Sequence, residues 1–279
     1  MAIENLPLVS VRIPAYNHEK YISQCLDSVM NDSYPNKELL IMDDGSTDRT
    51  VQIIEQWINE HDTDFKIRFF PRKHRGLCRT LNELIPLCDG VFLVSLASDD
   101  VLIDGGIQDR VEYLLKHQNK EAVIADCMVI NSSGEKIFGS ALSELYNSSP
   151  QNYLTDERLA REIIWNWSVP GPVLMVRKSI YHKVGKYNQN LTIEDWDFYL
   201  RMVSANLLGF VNSQVSAYRV HDANTCRAEN SKKHLLELSK IARINVKNFE
   251  GKYKKLLFKK FLVLMYEYIK KNLKEVVFH

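Results

Sequence analysis

Residues 38–48 read Glu-Leu-Leu-Ile-Met-Asp-Asp-Gly-Ser-Thr-Asp, and residues 91–100 read Val-Phe-Leu-Val-Ser-Leu-Ala-Ser-Asp-Asp. Twice, a short apolar run ends in a pair of carboxylates. Such runs, rich in Leu, Ile, Val and Phe, suit strands, and they recur at 8–13, 65–70 and 122–130. Between them apolar residues return at helical spacing: Tyr21, Ile22, Cys25, Leu26, Val29 and Met30 ahead of the first pair, Val51, Ile53, Ile54, Trp57 and Ile58 behind it. Ser46-Thr47-Asp48 is a suitable helix start. Strand and helix alternating to about residue 118 predict right-handed βαβ units, hence the α/β class with a mainly parallel, Rossmann-like sheet. Ligands of such sheets bind outside the carboxyl ends of the strands, where both acidic turns fall.

The 279 residues are enough for one large domain with a smaller appendage. With 45% hydrophobic and 25% charged residues, the composition points away from disorder and from fibrous repeats. Cys25, Cys78, Cys88, Cys127 and Cys226 are scattered and odd in number, which argues against a disulfide framework or a zinc site. No signal-peptide pattern opens the chain and no apolar run approaches the roughly 20 residues of a membrane span, so a cytoplasmic location is expected. The net charge of +1 conceals a division: residues 231–279 carry thirteen Lys and Arg against four Glu. No nucleic-acid partner is expected.

Further along, Asn131 to Gly134 signals a turn that opens a hairpin, and 140–170 reads as an irregular loop or lid containing Ser148-Ser149-Pro150. Residues 195–205 read as a helix, 208–219 as one or two short strands, and the chain from 231 onward as helical.

Adjacent carboxylates repel unless each has its own partner or a cation lies nearby. Asp43-Asp44 alone is also good turn chemistry. The second pair, Asp99-Asp100, strengthens the case for a ligand site, because Mg²⁺ and Mn²⁺ take carboxylate oxygens together with phosphate oxygens.

With Pro14-Ala15-Tyr16-Asn17, Asp43 to Asp48, Gly76, Asn82, Asp99-Asp100, Glu194-Asp195-Trp196-Asp197 and Tyr218-Arg219-Val220-His221 in this order, the chain resembles the family 2 glycosyltransferases. These are inverting enzymes of the GT-A nucleotide-diphospho-sugar transferase fold, and the likeness runs over about residues 8–225. It implies a catalytic domain over 1–228, with a nucleotide-sugar half to about 100 and an acceptor half beyond, followed by a basic helical extension over 229–279.

The resemblance also implies roles. Pro14, Tyr16 and Asn17 would wall the nucleobase, which stacks well on an aromatic ring. Asp44 would accept the base N3–H, favouring a UDP-sugar, and Arg75, Arg79 and Asn82 would reach the nucleotide. Asp99 would meet ribose or metal, while Asp100 and His221 would ligate Mn²⁺ or Mg²⁺ on the diphosphate. Asp195, with Glu194 as the alternate, would be the general base that deprotonates a hydroxyl of a saccharide, lipid-linked or glycoprotein acceptor. The plainer explanation of Glu194-Asp195 is a helix start, where acids are common. Trp165 and Trp167 are expected beside the acceptor cleft.

Two positions depart from the family pattern: Ala97 stands where relatives often carry another Asp, and Arg12 sits in an otherwise apolar strand. A phosphoacceptor receiver module would need neither the second acidic turn nor the later segments. A non-catalytic nucleotide-sugar binder would keep Tyr16 and Asp44 without turnover. The basic tail has two expected uses, peripheral contact at the inner face of the cell membrane or packing on protein, including a homo-oligomer.

Overall fold

The computed structural model describes residues 6–222 and 231–277, with side chains to 273. The expected boundary between 228 and 229, and Cys226, lie outside the described residues. Strands β1 (Val9–Ala15), β2 (Lys37–Asp43), β3 (Ile67–Pro71) and β4 (Phe92–Ser95) alternate with helices α1 (Ile22–Asn31), α2 (Thr50–Glu60) and α3 (Leu77–Leu87). Their order is β3-β2-β1-β4, all parallel. β2 is buried along its whole length and β1 at all but Pro14, as expected of strands covered on both faces.

Beyond β4 the sheet becomes mixed. Strands β5 (Val101–Leu102), β6 (Ala122–Ile130), β7 (Lys136–Phe138), β8 (Met175–Arg177) and β9 (Leu208–Arg219) extend it in the order β4-β8-β6-β9-β5, with β7 beside β6 as the expected hairpin. β8 runs antiparallel to both β4 and β6, β5 antiparallel to β9, and β6 parallel to β9. Residues 208–219 form one long strand whose register against β6 shifts twice. Helix α4 (Gly106–Lys116) follows β5, and α6 (Ile180–Lys183) and α7 (Glu194–Ser204) follow β8.

The 140–170 segment is more regular than its sequence suggests. Helix α5 (Asp156–Trp165) buries Leu159, Ala160, Ile163 and Ile164, and the Thr155 side chain caps it by accepting the Arg158 N–H. Helices α8 (Lys232–Asn245) and α9 (Gly251–Val277) close the described chain. Leu235, Ile241, Ala242, Leu257 and Leu264 from these two helices belong to the same apolar cluster as α3, α5, α7 and β6. No helix among the described residues is long and apolar enough to cross a membrane.

Arg12 is completely buried, on the central strand β1. Its guanidinium donates to the Ser95 hydroxyl at 2.8 Å, to Tyr181 at 2.6 Å and to Tyr187 at 3.2 Å. Hydroxyl oxygens, with the Leu81 carbonyl at 3.4 Å, thus satisfy the group.

The topology fixes the site. Parallel β1, β2 and β4 bring residues 14–18, 43–48 and 96–100 to one sheet edge. The β5–β9 pairing, Val101 opposite Ala217, delivers the segment after Arg219 to the same place.

Candidate active site

The two acidic turns have different surroundings. Asp43 is spent within its own turn: Oδ1 accepts the N–H groups of Gly45 at 3.0 Å and Ser46 at 2.9 Å, and the Ser46 hydroxyl donates to Oδ2. Gly45 has φ +81°, and a Cβ there would lie 2.6 Å from the His74 nitrogen, so the turn needs glycine on both counts. Asp44 binds the loop at 72–76. It accepts the N–H of Arg75 at 2.9 Å and of Gly76 at 2.7 Å and pairs with Arg72 at 2.8 Å, while His74 Nδ1 lies 3.0 Å away. A carboxylate offers about four acceptor sites. The Arg75 and Gly76 N–H groups and Arg72 take three of them, so Asp44 anchors that loop.

Tyr16, 42% exposed, leans on His74 with ring centroids 4.7 Å apart. Asn17 takes φ +53° and ties the loop after β1 to the first turn: its N–H donates to Ser46 Oγ and its side-chain oxygen accepts the Thr47 N–H, both at 2.8 Å. Three other expected contacts point elsewhere. Arg75 pairs with Glu83 at 3.0 Å, Arg79 donates to Gln189, and buried Asn82 exchanges hydrogen bonds with the Tyr187 backbone.

The second turn is built differently. Asp99 Oδ2 lies 2.9 Å from His221 Nε2, and Asp99 Oδ1 lies 3.8 Å from His18 Nδ1, which is itself 2.8 Å from Ser98 Oγ. Ligand atoms of His18, Asp99 and His221 all fall within 4.8 Å of one another, the one such cluster among the described residues. Burial pushes the His18 imidazole down from its ordinary value, with the Asp99 charge opposing that shift. The neutral ring is the form that ligates metals.

Asp100, expected as a metal ligand, is buried and accepts the Arg219 N–H at 2.8 Å. Its carboxyl is driven well up by desolvation and by neighbouring Asp99. Arg219 braces the turn further, donating to the Asp99 carbonyl at 2.6 Å, to the Asn131 carbonyl at 3.1 Å and to Gln24 at 2.6 Å. Sequence reasoning missed His18, which stands directly after the Pro14–Asn17 motif, and missed the bracing role of Arg219.

Glu194 and Asp195 occupy the first turn of α7, where Asp195 accepts the Trp196 N–H at 2.8 Å. They also line a cleft of about 140 Å³ whose walls include Pro14, Leu81, Leu96, Leu174, Phe198 and Tyr199. In this apolar setting desolvation pushes Asp195 up to about 6. Desolvation and the Asp195 charge push Glu194 up to about 8. The neighbouring Asp197 has a structural role, pairing with Arg201 and accepting from Asn245. Pro170 and Gly171 line the cleft, but the tryptophans before them do not: Trp167 stacks on Trp196, and Trp165 lies beneath Lys259 and Lys260. Ser95, Leu96 and Ala97 line the same cleft, so the turn leaving β4 touches Asp195's cleft with its first residues and the histidines with its next two. A second, more polar hollow of about 470 Å³ is lined by Asn17, His18, Glu19, Lys20, Asp48 and His221, among others.

Residues 10–185, more than half the chain, match the family described as Glycosyl transferase family 2. The chain belongs to that family. Its membership agrees with its relatives: it is 28% identical over 224 residues to a chondroitin synthase of Escherichia coli, covering 80% of this chain and 30% of the relative. It is 26% identical to a hyaluronan synthase of Pasteurella multocida, covering 80% and 21%. The chain therefore spans less than a third of the length of these two relatives. Among solved structures it is similar to S. aureus TarS 1–349 in complex with UDP-GlcNAc, with TM-score 0.67 and 19% identity over 91% of this chain and 71% of that one. It is also similar to the mannosyltransferase PcManGT from Pyrobaculum calidifontis in complex with GDP-Man and Mn²⁺, with TM-score 0.71 and 16% identity over 96% and 74%. The fold is GT-A, as the order of motifs implied.

Proposed function

We propose that this family 2 glycosyltransferase moves a sugar from a nucleoside-diphosphate donor, UDP-linked in the first instance, onto a saccharide hydroxyl with inversion. The observation that carries this reading is the turn after β4. Its residues 95–97 line the cleft that holds Asp195, and Asp99 meets His18 and His221. Donor diphosphate and proton acceptor are thereby served from one short segment. The solved relatives bound to UDP-GlcNAc and to GDP-Man with Mn²⁺ support the donor class, and the synthases of chondroitin and hyaluronan support a polysaccharide acceptor.

One carboxylate and two imidazoles within 4.8 Å are a donor set that fits a divalent cation. Imidazole nitrogens favour Mn²⁺ over the strictly oxygen-seeking Mg²⁺. Asp99, His221 and His18 would hold it, and the cation would offset charge on the departing diphosphate. Asp195 takes the proton from the acceptor hydroxyl as its oxygen attacks the anomeric carbon. Of the two raised carboxyls it ionises first, so near neutral pH it is the base, while Glu194 stays protonated. The apolar walls exclude water that would otherwise intercept the sugar. Tyr16 and Pro14 flank the base.

A panel of nucleotide sugars, each with and without Mn²⁺, tests the reading by thermal shift and by the anomeric configuration of the product. Stabilisation by a UDP-sugar that needs Mn²⁺, followed by transfer with inversion, is expected. Stabilisation with no transfer to any saccharide would make the chain a binder, and retention of configuration would remove Asp195 from its role.

A further inference from the structure

Helix α9 has two apolar faces, and the fold uses one. Leu257 and Leu264 are buried, with Tyr253, Phe261 and Tyr268 packed against the main core. On the opposite side Phe258, Leu262, Tyr266, Ile269 and Leu273 are 49–62% exposed. Their spacing of four, four, three and four residues places them on a single stripe along about four turns. Monomeric proteins seldom leave so continuous an apolar strip bare. Exposed Lys254, Lys255, Lys259 and Lys270 lie along or beside it, and residues 251–277 hold eight Lys against two Glu.

We infer that this stripe is a docking surface for an anionic lipid bilayer, with α9 lying in the plane of the interface. The charge decides between occupants. A second copy would bring the same surplus of six positive charges against this one, whereas an acidic lipid surface complements it. The aromatic members, Phe258 and Tyr266, suit the boundary between headgroup and acyl chain. Lysine stems reach past such a stripe to place their ammonium groups among phosphates. The helix is too polar to span the membrane, so it lies on it. None of these residues lines the cleft of Asp195 or the hollow of His18, so the inference stands apart from the proposed chemistry.

The experiment is co-sedimentation of the full chain with phosphatidylcholine vesicles and with vesicles in which phosphatidylglycerol replaces part of that lipid. Binding to the anionic vesicles alone, weakening as salt rises, is expected. Replacing Lys254, Lys255, Lys259 and Lys270 by Gln should lower the partition coefficient about fivefold per lysine, and the pair Leu262→Glu and Ile269→Glu should abolish binding. All six positions are exposed, and Lys260 still covers Trp165 when Lys259 is replaced, so the melting temperature should move little, and a melting curve of each variant verifies that. Equal binding to both vesicle types, no binding to either, or unchanged binding by the Glu pair would overturn the inference. So would a dimer in sedimentation velocity that the Glu pair dissolves, because the stripe would then belong to a second copy.

Discussion

The turns that end β2 and β4 carry the same two residues, Asp-Asp, at the carboxyl ends of parallel strands, yet only the second meets His18 and His221. Asp43 and Asp44 are consumed by backbone N–H groups and Arg72, and their effect is to shape the 43–48 turn and hold the 72–76 loop. At the second turn Asp100 is consumed in a similar way by Arg219, which leaves Asp99 facing two histidines. A carboxylate pair at a strand end is therefore no site by itself. The surrounding donors decide: where N–H groups converge the carboxylate builds structure, and where imidazoles converge it is available for a cation.

The comparison yields opposite expectations for one substitution. Asp44→Asn leaves a largely buried Arg72 with only the half-exposed Glu83 as counter-charge and sets an amide against backbone donors. It should cost about 3 kcal/mol, roughly 6–12 °C in a thermal melt. Asp99→Asn should move the metal-free melt by no more than about 1 kcal/mol and lower Mn²⁺ affinity about a hundredfold, the upper end of what even supporting residues of a metal site contribute. Calorimetric titration with Mn²⁺ reads the latter. If the two variants exchanged phenotypes, the division between the turns would be wrong. Gly45→Ala probes the first turn alone: positive φ and the approach to His74 should together cost about 2 kcal/mol, again read by melting, with Mn²⁺ affinity unchanged.

The smallest effects are those of pH. With Asp195 raised to about 6, the transfer rate should rise about tenfold per pH unit below that point and level off above it. Glu194, raised to about 8, makes the folded chain bind more protons than the unfolded chain between its ordinary value near 4.5 and about 8. Stability should therefore fall as pH rises through that window. Glu194→Gln should flatten the fall in denaturant melts taken across it.

The N-terminal half was legible because its signals are local. Each strand and helix of the βαβ run has its own period, and Asp43, Asp44 and Asp99 each close a readable strand. The acceptor half was less so: the two-residue strand β5 and the register shifts of β9 have no period of their own, and they arise from pairing with one another and with β6. The same cause hides which acid of the second turn meets the histidines. Which of Asp99 and Asp100 faces His221 depends on how β5 meets β9, across 122 residues of sequence. His18 was hidden for a related reason, since its neighbours in sequence say nothing of Asp99. Asp195 was placed by family likeness rather than spacing, because an acidic helix start gives the same signal. Its apolar cleft, assembled from β1, β4, α3, the loop at 170 and α7, exists only in the folded chain.

The most direct test of the account is Asp195→Asn, assayed for sugar transfer and, by calorimetry, for UDP binding with Mn²⁺. Transfer should fall by about 10²- to 10⁴-fold, the contribution of a general base, while UDP binding stays at the wild-type level. Wild-type transfer in that variant, or loss of UDP binding along with transfer, would contradict the separation of proton transfer at Asp195 from donor binding at Asp99 and its histidines.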